Sequence, residues 1–212
     1  MVGFDLDLTL IDSRPGIGAT YRALSAKTGV FIDCDAAVGR LGPPLETELA
    51  LWFPADEIEA MADEFRRIYP DYAVTASPAL PGVFESFAAV RSHDGQVVVI
   101  TGKYEPNARR HLRHLGLAAD AVVGWAWAEG KVAAMVEHGT EIYVGDHPAD
   151  MAAARAAHPT TAIGVLTGDH SEAELVDAGA DVVLPDLSEF PAWLDDYRST
   201  ARISVGLGGT DR

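Results

Sequence analysis

Short, almost wholly apolar runs alternate with longer amphipathic ones along this chain. Val97-Val98-Val99-Ile100 lies between Asp94-Gly95 and Thr101-Gly102, and Ile142-Tyr143-Val144 and Val182-Val183-Leu184 have the same character. These runs predict strands, as do Val2-Gly3-Phe4 and the segments 121–123 and 162–166. The stretches between them predict helices over 106–115, closed by Gly116, and over 131–137, 151–157 and 172–178. Apolar strands separated by helices imply a parallel sheet covered on both faces, with its chemistry in the loops after the strands' carboxyl ends.

The first two strands are separated by about ninety residues that read as helix and turn. Ser13 and Pro15 can start a helix that Gly29 ends, with Ile17, Tyr21 and Leu24 on one face. Ile58, Met61, Ala62, Phe65, Ile68 and Tyr69 follow the spacing of a second, and Leu41-Gly42-Pro43-Pro44 forces a bend between the two. Val83, Phe84, Phe87 and Val90 predict another helix after Pro81-Gly82. The expected fold class is therefore α/β, with residues 1–12 and 81–200 as a parallel-sheet core. Residues 13–80 form a helical cap inserted after the first strand, a position from which it can close as a lid. Residues 201–212 are expected to be a loose tail, because the sequence from Ser199 is polar and glycine-rich.

Charge narrows the function. The net charge of −16 repels a polyphosphate backbone and argues against nucleic-acid binding. It also means that a phosphorylated substrate needs a local cation. One cysteine, Cys34, allows no intrachain disulfide, and no apolar run is long enough to span a bilayer. A soluble cytoplasmic protein is the expectation.

Several reactive side chains fall where predicted strands end. Asp5 and Asp7 follow the first strand, Thr101 the second, and Asp146 the run 142–144, with Asp150 four residues later and Lys131 opening a helix. A parallel sheet brings these ends to one edge. Four carboxylates there repel one another unless a hard cation sits among them, and magnesium suits carboxylates, waters and a substrate phosphate. Asp5 can then attack phosphorus, while Asp7 protonates the leaving oxygen and afterwards activates water. Thr101 and the backbone of Gly102 can donate to phosphoryl oxygens, and Lys131 supplies positive charge. Asp146 and Asp150 would hold the metal or its waters.

The segment Phe4-Asp5-Leu6-Asp7-Leu8-Thr9-Leu10-Ile11-Asp12-Ser13 resembles the first motif of the haloacid dehalogenase superfamily. Ile100-Thr101-Gly102-Lys103 resembles its second, Lys131 its third, and Gly145-Asp146-His147-Pro148-Ala149-Asp150 its fourth. Gly42-Pro43-Pro44-Leu45, Gly164-Val165-Leu166-Thr167-Gly168 and Ala178-Gly179-Ala180-Asp181 are similar to segments of its phosphoglycolate phosphatases. The resemblance implies a Rossmann-like core, a helical cap and Mg2+. The ion would be held by the Asp5 carboxylate, the Asp7 carbonyl and Asp146, and Gly102 and Lys103 would contact substrate. Three departures stand out. Leu8 replaces the usual glycine, so the turn is expected to be reshaped or its side chain to face the cap. His147 replaces a small hydroxyl residue, with a surface or helix-start role expected ahead of contact with the metal shell. Basic residues in the cap are few, and Arg40 is the expected substrate contact.

The expected activity is hydrolysis of small phosphate monoesters. A dehalogenase needs neither Asp7 nor the pair Asp146 and Asp150. A sugar-phosphate mutase or other phosphotransferase would use the same machinery, and a non-catalytic phospholigand-binding protein need not keep Asp7. The partner expected is a small phosphorylated metabolite, with no nucleic acid and no membrane.

Overall fold

The computed structural model describes residues 1–206, with side chains to residue 200. The apolar runs form β1 (Val2–Phe4), β2 (Val97–Ile100), β3 (Ala121–Val123), β4 (Ile142–Gly145), β5 (Thr161–Val165) and β6 (Val182–Leu184). They pair in the order β3-β2-β1-β4-β5-β6, and every pair is parallel. β1 is central, with Phe4 level with Val99 on one side and Val144 on the other. The order reverses at β1, which opens a crevice at the carboxyl ends of β1, β2 and β4.

The helices are α1 (Arg14–Thr28), α2 (Cys34–Val38), α3 (Leu45–Leu49), α4 (Ile58–Ala73), α5 (Val83–Ser92), α6 (Glu105–Leu115), α7 (Glu129–Glu137), α8 (Pro148–Ala156), α9 (Glu172–Asp177) and α10 (Phe190–Gly206). Strand side chains alternate between the two sheet faces. Phe4, Val97 and Val99 pack with Phe87 and Phe190 on one face; Val98, Ile100 and Tyr143 pack with Met135 and Met151 on the other. A third apolar cluster, including Tyr21, Leu24, Phe65 and Ile68, lies within the α1–α4 insert. The insert leaves and returns side by side: Asp12 N–H donates to the Pro78 carbonyl at 2.9 Å, and Leu80 N–H to that of Leu10 at 3.0 Å.

Three local expectations change. Ser13 occupies the N-cap of α1 but makes no side-chain cap bond. α2 and α3 flank the bend at 41–44 in a stretch where neither was expected. α10 also runs to Gly206, into the segment expected to be a loose tail. Phe190 and Leu194 are buried, and the Ser199 and Thr200 hydroxyls bond back to the Asp195 and Asp196 carbonyls. Residues 207–212 of that expected tail lie outside the described residues.

Gly82 starts α5 with φ at 78°, and an added Cβ would lie 2.1 Å from the Ser188 nitrogen and 2.4 Å from the Leu187 oxygen. Backbone cannot yield as a side chain can. Gly82→Ala is therefore expected to lose at least about 2 kcal/mol of stability by combining left-handed strain with overpacking. Urea unfolding of the variant against the parent protein measures it.

Candidate active site

The crevice is built from strand ends. β1 delivers Asp5, and the chain then turns sharply: Leu8 N–H donates to the Ile11 carbonyl at 2.8 Å, and Leu10 N–H to that of Leu6 at 2.9 Å. Leu8 adopts φ 58° here and is buried. Leucine here takes the positive φ that favours glycine, so the turn is not reshaped to avoid it. Packing of the buried side chain and the Thr167 hydroxyl donating to the Leu8 carbonyl hold the conformation.

β4 ends at Gly145, Asp146 follows it, and α8 begins at once with His147 as N-cap. The His147 Nδ1 accepts from Ala149 N–H at 3.0 Å, the expected helix-start role, and Asp150 returns a carboxylate oxygen to the His147 N–H. One oxygen from each of Asp5, Asp146 and Asp150 falls within 4.8 Å of the others, and all three residues are buried. Lys131, from the first turn of α7, reaches into the same space. Its Nζ is 3.1 Å from Asp5 Oδ1 and also bonds Asp150.

Burial raises Asp5 from its ordinary 3.8 to about 7, against the pull of the Lys131 ammonium. Asp146 is also raised, by burial first and then by the charges of Asp150 and Asp5, although the Thr9 hydroxyl donates to it at 2.9 Å. Lys131 is held charged: the two carboxylates outweigh the effect of burial. Three buried carboxylates face one ammonium, and Asp5 Oδ1 lacks a well-aligned hydrogen bond. A hard divalent cation with oxygen ligands fits this residual negative charge.

Asp7 lies on the other side of the turn. Lys103 Nζ sits 2.9 Å from its Oδ1 and 4.6 Å over the Tyr69 ring. Burial works to raise Asp7, but the Lys103 charge, aided by Ser13, wins and lowers it. Thr101 is buried at the end of β2, where its Oγ1 accepts from Lys103 N–H at 3.2 Å. Gly102 and Lys103 line a cavity between this loop and the insert.

Arg40 is elsewhere. Its guanidinium makes a two-pronged pair with Glu48 at 2.9 and 2.7 Å, so its charge is already matched on the insert's surface. The insert arginine that lines the cavity is Arg66, from α4. Sequence reasoning also missed Thr9, which lies inside the first motif, and Tyr69, which helical spacing marked only as core. Gly168 was noted only as part of a closing segment. A Cβ there would stand 2.2 Å from Asp146 Oδ2, so its loop forms a wall of the acidic site.

Between about pH 4 and pH 7 the folded chain keeps a proton on Asp5 that the unfolded chain has released, so metal-free stability falls as pH rises through that window. A bound cation replaces that proton. Magnesium is therefore expected to raise the melting temperature more at pH 8 than at pH 5, as read by scanning calorimetry with and without the ion. Equal shifts would count against Asp5 as a ligand.

Comparison with known proteins agrees with this arrangement. Residues 2–155 match the family described as haloacid dehalogenase-like hydrolase. The chain is 29% identical to a phosphoglycolate phosphatase of Rhodospirillum rubrum over 216 residues, covering 90% of this chain and 89% of that one. It is 31% identical over 118 residues to the tyrosine-protein kinase PtkA of Mycobacterium tuberculosis, covering 55% of this chain but only 40% of the kinase. A haloacid dehalogenase-like family hydrolase from Streptococcus pneumoniae shares the fold, with a TM-score of 0.78 at 23% identity over 91% of this chain and 96% of its own. No helix among the described residues is long and apolar enough to cross a membrane. With its acidic residues gathered on one sheet edge and a match running through all but the last quarter of the sequence, the chain belongs to the haloacid dehalogenase-like hydrolases.

Proposed function

We propose that this protein is a magnesium-dependent phosphatase that hydrolyses small phosphate monoesters through an aspartyl-phosphate on Asp5. The observation that carries the reading is the buried group of Asp5, Asp146 and Asp150, with Lys131 against Asp5, at the carboxyl edge of the sheet. Magnesium, held by Asp5, Asp146 and the Asp7 carbonyl, would neutralise charge on the phosphoryl oxygens and keep Asp5 ionised. Asp150 bonds Lys131 and the start of α8, which suits it to fixing the ammonium and the fourth-motif loop.

In the first step an Asp5 oxygen forms a bond to phosphorus while the bond to the leaving oxygen breaks. Asp7 gives its proton to that oxygen. In the second step Asp7 takes a proton from water, whose oxygen displaces Asp5 and releases inorganic phosphate. Asp7 is held ionised by Lys103 in the free protein. A phosphate dianion placed between Thr101 and Lys103 competes for the ammonium, which lets Asp7 take up the proton needed for the first step. Lys131 and the backbone of Gly102 stabilise the charge that develops on the transferred group.

Asp5→Asn is expected to abolish phosphate release in the presence of magnesium. Full activity in that variant would rule out the covalent step. Asp7→Asn is expected to cost about 10²–10⁴-fold on an alkyl phosphate and much less on a nitrophenyl phosphate, whose leaving group needs little acid help. Steady-state rates on the two esters decide this, and equal losses would remove Asp7 as the acid.

A further inference from the structure

The cavity beside Lys103 has a volume of about 110 Å³. It lies where the organic part of a substrate must go, because Lys103 touches Asp7 and the leaving oxygen must face Asp7. Tyr21, Leu41, Leu45, Phe65, Tyr69 and Trp125 form most of its wall. These are rings and branched chains from both the insert and the core.

The lysine, arginine and asparagine of the wall are already engaged. Lys103 is paired with Asp7. Arg66 is paired with Glu46 and lies 3.6 Å from Asp63, its guanidinium stacked 4.3 Å over Trp125. The Asn107 amide donates to the Arg66 carbonyl at 3.4 Å and accepts from Arg110 at 3.0 Å. At most the Tyr21 and Tyr104 hydroxyls and the Trp125 indole N–H remain to replace the water that a sugar's several hydroxyls would lose here, and a substrate carboxylate would meet cations that carboxylates have already neutralised.

Trp125 strengthens the point. It is exposed, and it holds φ at 58°, a strained value for a bulky residue. Tyr104, edge-on at 5.4 Å, and Arg66 brace it at the cavity. Strain held in place beside a binding site points to a use for that ring. The volume sets an upper size: at about 110 Å³ it is smaller than the apolar cavity of about 150 Å³ that takes up benzene, so a single ring fills it and extends past its mouth.

We propose that the preferred substrates are phosphate monoesters of small apolar alcohols or phenols, about one ring in size, with sugar phosphates and carboxylate-bearing esters such as phosphoglycolate as poor substrates. The proposal rests on the phosphatase reading for its chemistry, and the cavity wall supplies the selectivity.

The test compares benzyl phosphate, glucose 6-phosphate and phosphoglycolate with magnesium present. All three release an alcohol, so differences in leaving ability are small. Benzyl phosphate is expected to show a kcat/KM about 10- to 100-fold above the others, mostly through KM, the range that burying a few apolar groups supplies. Leu45→Gln and Trp125→Ser should each lower kcat/KM for benzyl phosphate more than for methyl phosphate, which leaves the cavity unfilled. Equal or better turnover of glucose 6-phosphate or phosphoglycolate overturns the proposal and leaves the phosphatase reading standing. If no ester is hydrolysed, the phosphatase reading fails, and calorimetric titration of Asp5→Asn with the same three esters decides the proposal. Tighter binding of benzyl phosphate supports it; equal, weaker or absent binding overturns it.

Discussion

The buried ammonium of Lys131 is the contact on which the site depends. Asp5, Asp146 and Asp150 are all buried at the end of the central strands, and burial pushes Asp5 and Asp146 towards the protonated form. Lys131 meets two of the three. One positive charge among three carboxylates is too little to balance them, and that shortfall is what makes the place fit for a divalent cation. A second lysine would fill it with protein and leave no binding site. Apolar surroundings make that imbalance costly, and without the cation it is met by the raised proton affinity of Asp5 and Asp146.

The sheet determines which residues meet there. β1 is flanked in register by β2 and β4, so the loops that follow the three strands open side by side. The turn after β1 has little freedom. It must place Asp5 and Asp7 on different neighbours, Lys131 and Lys103, within two residues. Leu8 at positive φ is the cost of that turn, repaid by its burial and by Thr167. The same turn runs on into Ile11, which pairs with Ala79 where the insert returns. The base of the insert and the acidic site are thus parts of one short structure.

Much of this was legible in the sequence, for physical reasons that differ by element. The apolar runs could be read as strands because a parallel strand covered on both faces has no polar alternation, and their order then fixed where Asp5, Thr101 and Asp146 converge. α10 was not legible, because Pro191 lies near its start and serine, threonine and glycine near its end, all poor helix formers; its place comes from Phe190 and Leu194 docking on the sheet layer. Leu8 misled because an intrinsic preference was weighed without the burial that overrides it. Arg40 misled because proximity in sequence to the Gly42 bend says nothing about Glu48, which lies one short helix away and claims its charge. Arg66 was hidden inside a regular amphipathic helix, where spacing shows which face is apolar but not what lies opposite its edge.

The insert also enters the electrostatics of the core. Tyr69 belongs to α4, yet its ring lies under Lys103, and its hydroxyl meets the buried His111 of α6 at 2.9 Å. Burial and the nearby Lys103 charge lower His111 to about 4, so it is neutral at neutral pH and adds no second cation. Lys103 is therefore held between a carboxylate from the core and an aromatic face from the insert. Moving α4 away would expose the ammonium to water and weaken its hold on Asp7. The surroundings of Asp7 in this way include the insert as well as the core. The same helix supplies Phe65 and Arg66 to the cavity wall. One helix of the insert therefore contributes both to the cavity wall and to the surroundings of Lys103.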